Sequence, residues 1–147
     1  MVNGCKPSAG SIVKQPRVPD NDAYRWENHV DHRKLVAWQE AVKLVRLVYR
    51  ETASFPRDEI FGLTSQLRRS AVSIPANIAE GAGRNSSREL AQFLGIACGS
   101  RAELDTHLEI ALQLGFLQAD SELFSQSARV GKLLVGLRKS IVQRNAA

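Results

Sequence analysis

The sequence predicts an all-α fold, an up-down-up-down antiparallel four-helix bundle. Three observations predict it. Four stretches of roughly twenty residues or more carry apolar side chains at three- and four-residue spacing, the period of a helix with one buried face. The joints between them are short and hold proline, glycine or capping residues, which makes successive helices antiparallel neighbours. No segment alternates apolar and polar residues with the period of a strand.

The elements follow in chain order. Residues 1–31 are rich in Pro, Gly, Ser, Asn and Asp and have no period, so they are expected to form a disordered tail. The bundle domain is expected to occupy residues 32–147. Its first helix is predicted from about His32 to Ala53, with Leu35, Trp38, Val42, Val45 and Tyr49 as its core stripe, and Pro56 stops it. The second is predicted from about Glu59 to Ala82, with Asp58 as its N-cap and Leu63, Leu67, Ala71, Ile74 and Ile78 inward. Ser86-Ser87-Arg88-Glu89 is a capping-box pattern that opens the third helix. Leu90, Phe93, Leu94, Ala97, Leu104, Leu108 and Ala111 carry it to Gly115, a C-terminal stop. The fourth is predicted from near Asp120 to about Gln143, with Leu123, Val130, Leu134, Leu137 and Ile141 inward.

The joint between the second and third helices holds the densest stretch, SIPANIAEGAGRNSSRE, Ser73 to Glu89. Pro75 lies inside the helix, where it should kink the rod, on a side away from the core stripe. Gly81-Ala82-Gly83-Arg84 then ends the helix. A phosphate-cradling loop needs a preceding strand and a longer glycine pattern, and neither is present. The stretch therefore reads as the corner between two packed helices.

At 147 residues the chain is one domain, long enough to bury a core without staples. No apolar run approaches the ~18 residues of a membrane span, and the N-terminus has no apolar signal region. Cys5 and Cys98 lie far apart, which excludes a disulfide framework or a zinc site and suits a reducing cytoplasm. The net charge is +5, and charges within residues 1–31 cancel, so the excess belongs to the bundle. After Glu122 there is no acid, while Arg129, Lys132, Arg138, Lys139 and Arg144 follow. Such a surface attracts polyanions through phosphate contacts and counterion release. The plainer alternative is a solvated positive face.

A polar stripe, Gln66, Arg69, Ser73, Asn77 and Glu80, runs beside the apolar face of the second helix, and Ser100, Glu103 and His107 run along the third. Folding the two antiparallel about residue 86 sets Ser73 opposite Ser100 and Arg69 opposite Glu103. A catalytic carboxylate site is one reading. The favoured one is a structural network that fixes register, with a direct Arg69–Glu103 contact. No cofactor or metal is expected. A di-iron bundle needs two Glu-x-x-His motifs on facing helices, and here only His107 lies well inside the bundle, with His32 at its edge and His29 in the tail. Cys98, among Ala97, Gly99 and Ser100, reads as close helix packing, and no Ser/His/Asp arrangement stands out.

The first helix carries a second apolar stripe, Ala37, Ala41, Leu44 and Val48, which suggests a subunit interface. Lys43, Arg46 and Arg50 cluster on its other flank. On the fourth helix Lys132 and Lys139 point away from the core, flanked by Arg129 and Arg138. The residues assigned to nucleic-acid contact are Lys43, Arg46, Arg50, Arg129, Lys132 and Lys139. No aromatic platform for stacking bases accompanies them, so contacts to phosphates rather than base-specific readout are expected.

The segment LTSQLRRSAVSIPANIAEGAGRNSSRELAQFLGIACGSRAELDTHLEIA, Leu63 to Ala111, resembles the small bacterial four-helix bundle proteins encoded within intervening sequences of 23S ribosomal RNA genes. Trp38 to Ala41 (W-x-x-A) and Phe55-Pro56 fit the same pattern, and the resemblance spans about residues 33–143. Related proteins include the accessory variability determinant of diversity-generating retroelements, a basic pentamer that binds nucleic acid and a reverse transcriptase. The resemblance implies a non-enzymatic, ring-forming homopentamer associated with RNA or DNA. Two classes of function are carried forward: an oligomer that binds nucleic acid through its basic surface, and a protein-interaction adaptor or scaffold whose charge serves a protein partner or solubility.

Overall fold

The computed structural model describes residues 30–146. Among them stand four α-helices, α1 (Val36–Thr52), α2 (Leu63–Ala82), α3 (Ser87–Gln113) and α4 (Glu122–Ala146), and no strand. α1 and α3 each pack against both α2 and α4, and the backbones of the diagonal pairs do not approach closely. The rods therefore stand at the corners of a square, the arrangement that short joints impose on an up-down-up-down chain. At ~1.5 Å per residue the longest of them, α3, spans about 40 Å. The tail expected over residues 1–31 lies almost wholly outside the described residues.

Each boundary has a local cause. Asp31, expected in the tail, accepts a hydrogen bond from the Arg33 N–H at 3.1 Å and caps a short 3-10 turn, His32–Lys34. Leu35 is then extended, with φ −75° and ψ 120°, so α1 begins at Val36 rather than His32. α2 begins later than expected for a similar reason. Arg57–Phe61 form a 3-10 turn, and the N-cap is Gly62 rather than Asp58, with Glu59 Oε2 accepting the Leu63 N–H at 3.0 Å. Ser86 caps α3 as expected, accepting the Glu89 N–H at 3.2 Å, while its hydroxyl donates to the Glu89 carboxylate at 2.8 Å. Gly115 at φ +76° ends α3. Its N–H donates to Leu112 O at 3.0 Å and that of Phe116 to Ala111 O at 2.9 Å, the paired bonds of a glycine-terminated helix.

The core takes its side chains from all four rods. Leu67, Ala71, Ile74 and Ile78 of α2 are fully buried, as are Leu94, Ala97, Leu104 and Ala111 of α3 and Val130 and Leu134 of α4. On α1 the two apolar stripes exchange the roles expected of them. Ala37, Ala41, Leu44 and Val48 are buried inside this bundle, so they are not free to form a subunit interface. Leu35, Trp38, Val42 and Val45 are only partly buried, and Tyr49 is 46% exposed. The smaller residues suit the close approach of neighbouring helices, while the aromatic rings lie at the rim with polar neighbours. Arg68 stacks over Tyr49 at 4.7 Å, and His32 meets Trp38 edge-on at 5.2 Å.

Two further expectations are corrected. Pro75 is buried rather than turned away from the core, and α2 continues through it as one helix. It stands four residues after Ala71 and three before Ile78, so it shares their face. The small-residue run at Ala97–Ser100 is not a site of close packing throughout: Gly99 is exposed and has open space around it. The tight approach is at Gly81, where an added Cβ would stand 2.7 Å from Phe93 Cβ. Only glycine lets α2 and α3 meet there.

Candidate nucleic-acid interface

The seam between α1 and α4 is organised by Glu40. It is 6% exposed, at the edge of the Ala37–Ala41–Leu44 stripe. Lys43 Nζ donates to Glu40 Oε1 at 2.6 Å, and Arg129 Nε lies 3.1 Å from Oε2 in an ion pair without hydrogen-bond geometry. Gln126 Nε2 donates to Oε2 at 2.9 Å and to the Glu40 carbonyl at 3.0 Å. The Gln126 hydrogen bond, then that of Lys43, holds the carboxyl below its ordinary range against the opposing effect of burial, and the charges of Arg129 and Lys43 assist. Glu40 thus stays ionised and ties one side chain of α1 and two of α4 to a single carboxylate.

Arg50 makes a second tie. Its Nε donates to Glu51 at 3.1 Å and its Nη2 to Glu122 at 3.3 Å, which raises its already high pKa further. Between these ties lies an open groove of about 380 Å3 lined by Lys43, Arg46, Leu47, Arg50, Glu122 and Gln126. A wider, shallower one continues along α4 past Arg129, Lys132 and Leu133. The fold therefore brings Lys43, Arg46, Arg50, Arg129 and Lys132 along one seam. Arg46 and Lys132 have no carboxylate within ion-pair distance among the described residues. Glu40, Glu51 and Glu122 offset part of the remaining charge.

Lys139 lies apart from this group. It lines a separate, mainly apolar groove of about 440 Å3 between α3 and α4, with Cys98, Val135, Arg138, Val142 and Gln143. The α2–α3 network is half as sequence reasoning expects. Ser73 and Ser100 hydroxyls meet at 2.9 Å, and Asn77 Nδ2 donates to Ser73 O at 2.8 Å and to its Oγ at 3.1 Å. The register is therefore as expected. The direct Arg69–Glu103 contact is absent: both side chains are exposed and no ion pair joins them. Out of the seam, nothing compels them to pair, since an exposed ion pair contributes ~0–1 kcal/mol. Glu80 pairs instead with Arg84, just past the end of its own helix, at 2.5 Å.

Sequence reasoning missed Glu40 because, with Trp38 and Val42 taken as core, it falls on the far side of the helix. Taking Ala37, Ala41 and Leu44 as core places it at their border, where a lone acid needs partners. The α3–α4 tie was missed as well: Ser127 donates to Asp105, which also holds Arg101 at 2.6 Å. Among the described residues no cluster of three or more His, Cys, Asp or Glu could hold a metal, and no helix is long and apolar enough to cross a membrane.

Fold and seam together define an antiparallel four-helix bundle whose most developed polar feature is a cation-rich helix seam. The profile of the 23S rRNA-intervening sequence protein family matches residues 33–136, and the chain belongs to that family. A solved structure from Bacteroides thetaiotaomicron, described as a protein of unknown function from the S23 ribosomal protein family, superposes with a TM-score of 0.64. It is 24% identical, and the alignment covers 71% of this chain and 96% of that one, a likeness that speaks to the fold alone. No curated protein is similar enough to count as a relative.

Proposed function

We propose that this protein is a non-enzymatic oligomer that binds RNA or DNA by its phosphate backbone, through the α1–α4 seam. The observation that carries the reading is the gathering of Lys43, Arg46, Arg50, Arg129 and Lys132 along one seam, on a chain of net charge +5. Phosphate contacts position a protein on a helix without reading sequence, and a row of lysine and arginine with no stacking platform suits that mode. The family's association with a ribosomal RNA intervening sequence agrees with it in name. The homopentamer is proposed from family likeness. The flank of Trp38, Val42, Val45 and Tyr49 is partly exposed, and exposed apolar side chains such as Phe61, Val72, Ile96 and Val135 lie on several other faces, so apolar area is available to a second copy.

The test is a gel shift at low salt with a structured RNA and a DNA duplex, beside light scattering of the free protein. Retention lost on Arg46→Glu with Lys132→Glu, in a protein that still melts cooperatively, supports the reading. No retention of either nucleic acid by the unaltered protein removes it. The adaptor reading is favoured by the three carboxylates interleaved with the cations, which lower the field a polyanion would feel. It predicts no shift with nucleic acid, and light scattering unchanged by RNA.

A further inference from the structure

The arrangement around Glu40 says more than that the seam is basic. A nearly buried carboxylate holds two cations that are themselves mostly exposed, Lys43 at 60% and Arg129 at 62% of the side chain. Arg129 meets Glu40 with its Nε in an ion pair, and its two terminal nitrogens have no hydrogen-bond or ion-pair partner among the described residues. Arg50 is the contrast: both its Nε and its Nη2 are engaged by acids. Lys43 uses one of its three donors on Glu40. Gln126 fixes the carboxylate from a third direction, bonding the side chain and the backbone carbonyl of the same residue.

We propose that Glu40 is the positioning residue of a discrete phosphate seat, in which the terminal nitrogens of Arg129 and the remaining donors of Lys43 take one backbone phosphate of the bound nucleic acid. The inference rests on the nucleic-acid reading above and deepens it. A guanidinium drawn to Glu40 on its Nε side leaves its outer edge free, and that edge can match two phosphate oxygens. Ordering both long side chains beforehand removes rotamer entropy that binding would otherwise have to overcome. The cost is a negative charge beneath the seat. Burial on the core side keeps that charge behind the cations rather than in front of them.

Charge and position make opposite predictions for one substitution. Glu40→Gln raises the net charge by one and leaves the side-chain shape nearly unchanged, so bare electrostatics demands tighter binding of a polyanion. The positioning role demands weaker binding, by about tenfold if two side chains lose their order. Arg129→Lys keeps the charge and loses the fork, and since the side chain is exposed it leaves folding intact. The experiment is fluorescence anisotropy of a labelled twenty-base-pair RNA duplex at fixed low salt, with a thermal melt of each variant. Unaltered protein that binds, with both variants weakened, supports the seat. Tighter binding by Glu40→Gln, or Arg129→Lys equal to the unaltered protein, overturns the seat and leaves the nucleic-acid reading standing. No binding by the unaltered protein overturns both.

Discussion

Exchanging Gly81 for alanine should destabilise this protein, although alanine is the better helix former. Two effects oppose each other. Alanine gains at most about 1 kcal/mol over glycine inside a helix, and less here because α2 ends one residue later, at Ala82. Against that, the new Cβ would stand 2.7 Å from Phe93 Cβ and 3.2 Å from Leu90 Cδ1. Phe93 Cβ is anchored to its backbone and cannot swing aside, so α2 and α3 must separate by several tenths of an ångström. Such overpacking costs about 1–3 kcal/mol, and the expected net loss is about 1–2 kcal/mol. Gly99→Ala is the matched control. It lies in the middle of α3 with nothing within 4 Å of the added atom, so the helical gain of about 1 kcal/mol stands alone. Urea unfolding followed by far-ultraviolet circular dichroism, at one protein concentration, measures both. A Gly81→Ala protein as stable as Gly99→Ala would refute the reasoning, because it would show that α2 and α3 are not in close contact at that point.

Three further outcomes are expected. Leu44→Ala should cost about 2–5 kcal/mol and Val42→Ala less than about 1.5, measured by the same unfolding assay; equal costs would contradict the burial assigned to the two α1 stripes. A double-mutant cycle on Ser73→Ala and Ser100→Ala should return a coupling of about 0.5–1.5 kcal/mol, and a coupling of zero would deny the hydrogen bond across the α2–α3 seam. The depressed pKa of Glu40 links folding to pH. Its contribution is fully present above the ordinary glutamate value of 4.5 and is lost as pH falls through the lower, folded value. Thermal melts taken from neutral pH into that acid range should therefore fall less steeply for Glu40→Gln than for the unaltered protein, and parallel curves would count against the tie.

The four rods were legible because their apolar period is long and uninterrupted and because Ser86 and Gly115 mark helix ends by their own chemistry. The α2–α3 register was legible for a related reason: a short corner leaves one antiparallel pairing, and Ser73 meets Ser100 accordingly. The α1 core face was not. Two adjacent stripes satisfy the same spacing, and side-chain size favours Trp38 and Tyr49, whereas the interior of a narrow bundle takes Ala37 and Ala41. That one choice carried the others with it. It moved the expected interface onto residues the bundle buries and hid Glu40 on an apparent solvent face. The Arg69–Glu103 contact failed from the opposite cause. Backbone register places two residues across a seam, but it does not decide whether long exposed side chains close the remaining gap. For the candidate interface, the sequence pointed to the cations and the fold showed which share a seam: five of the six do, and Lys139 faces another groove.

The most direct test of the account is the salt dependence of binding to a nucleic-acid duplex. For B-DNA, each phosphate contacted adds about −0.9 to the slope of log affinity against log salt, so about four contacts along the seam predict a loss of roughly 100-fold between 50 and 200 mM salt. The account predicts that slope for the unaltered protein and a clearly shallower one after Arg46→Glu with Lys132→Glu. A flat salt dependence, or a slope that these two substitutions leave unchanged, would contradict it.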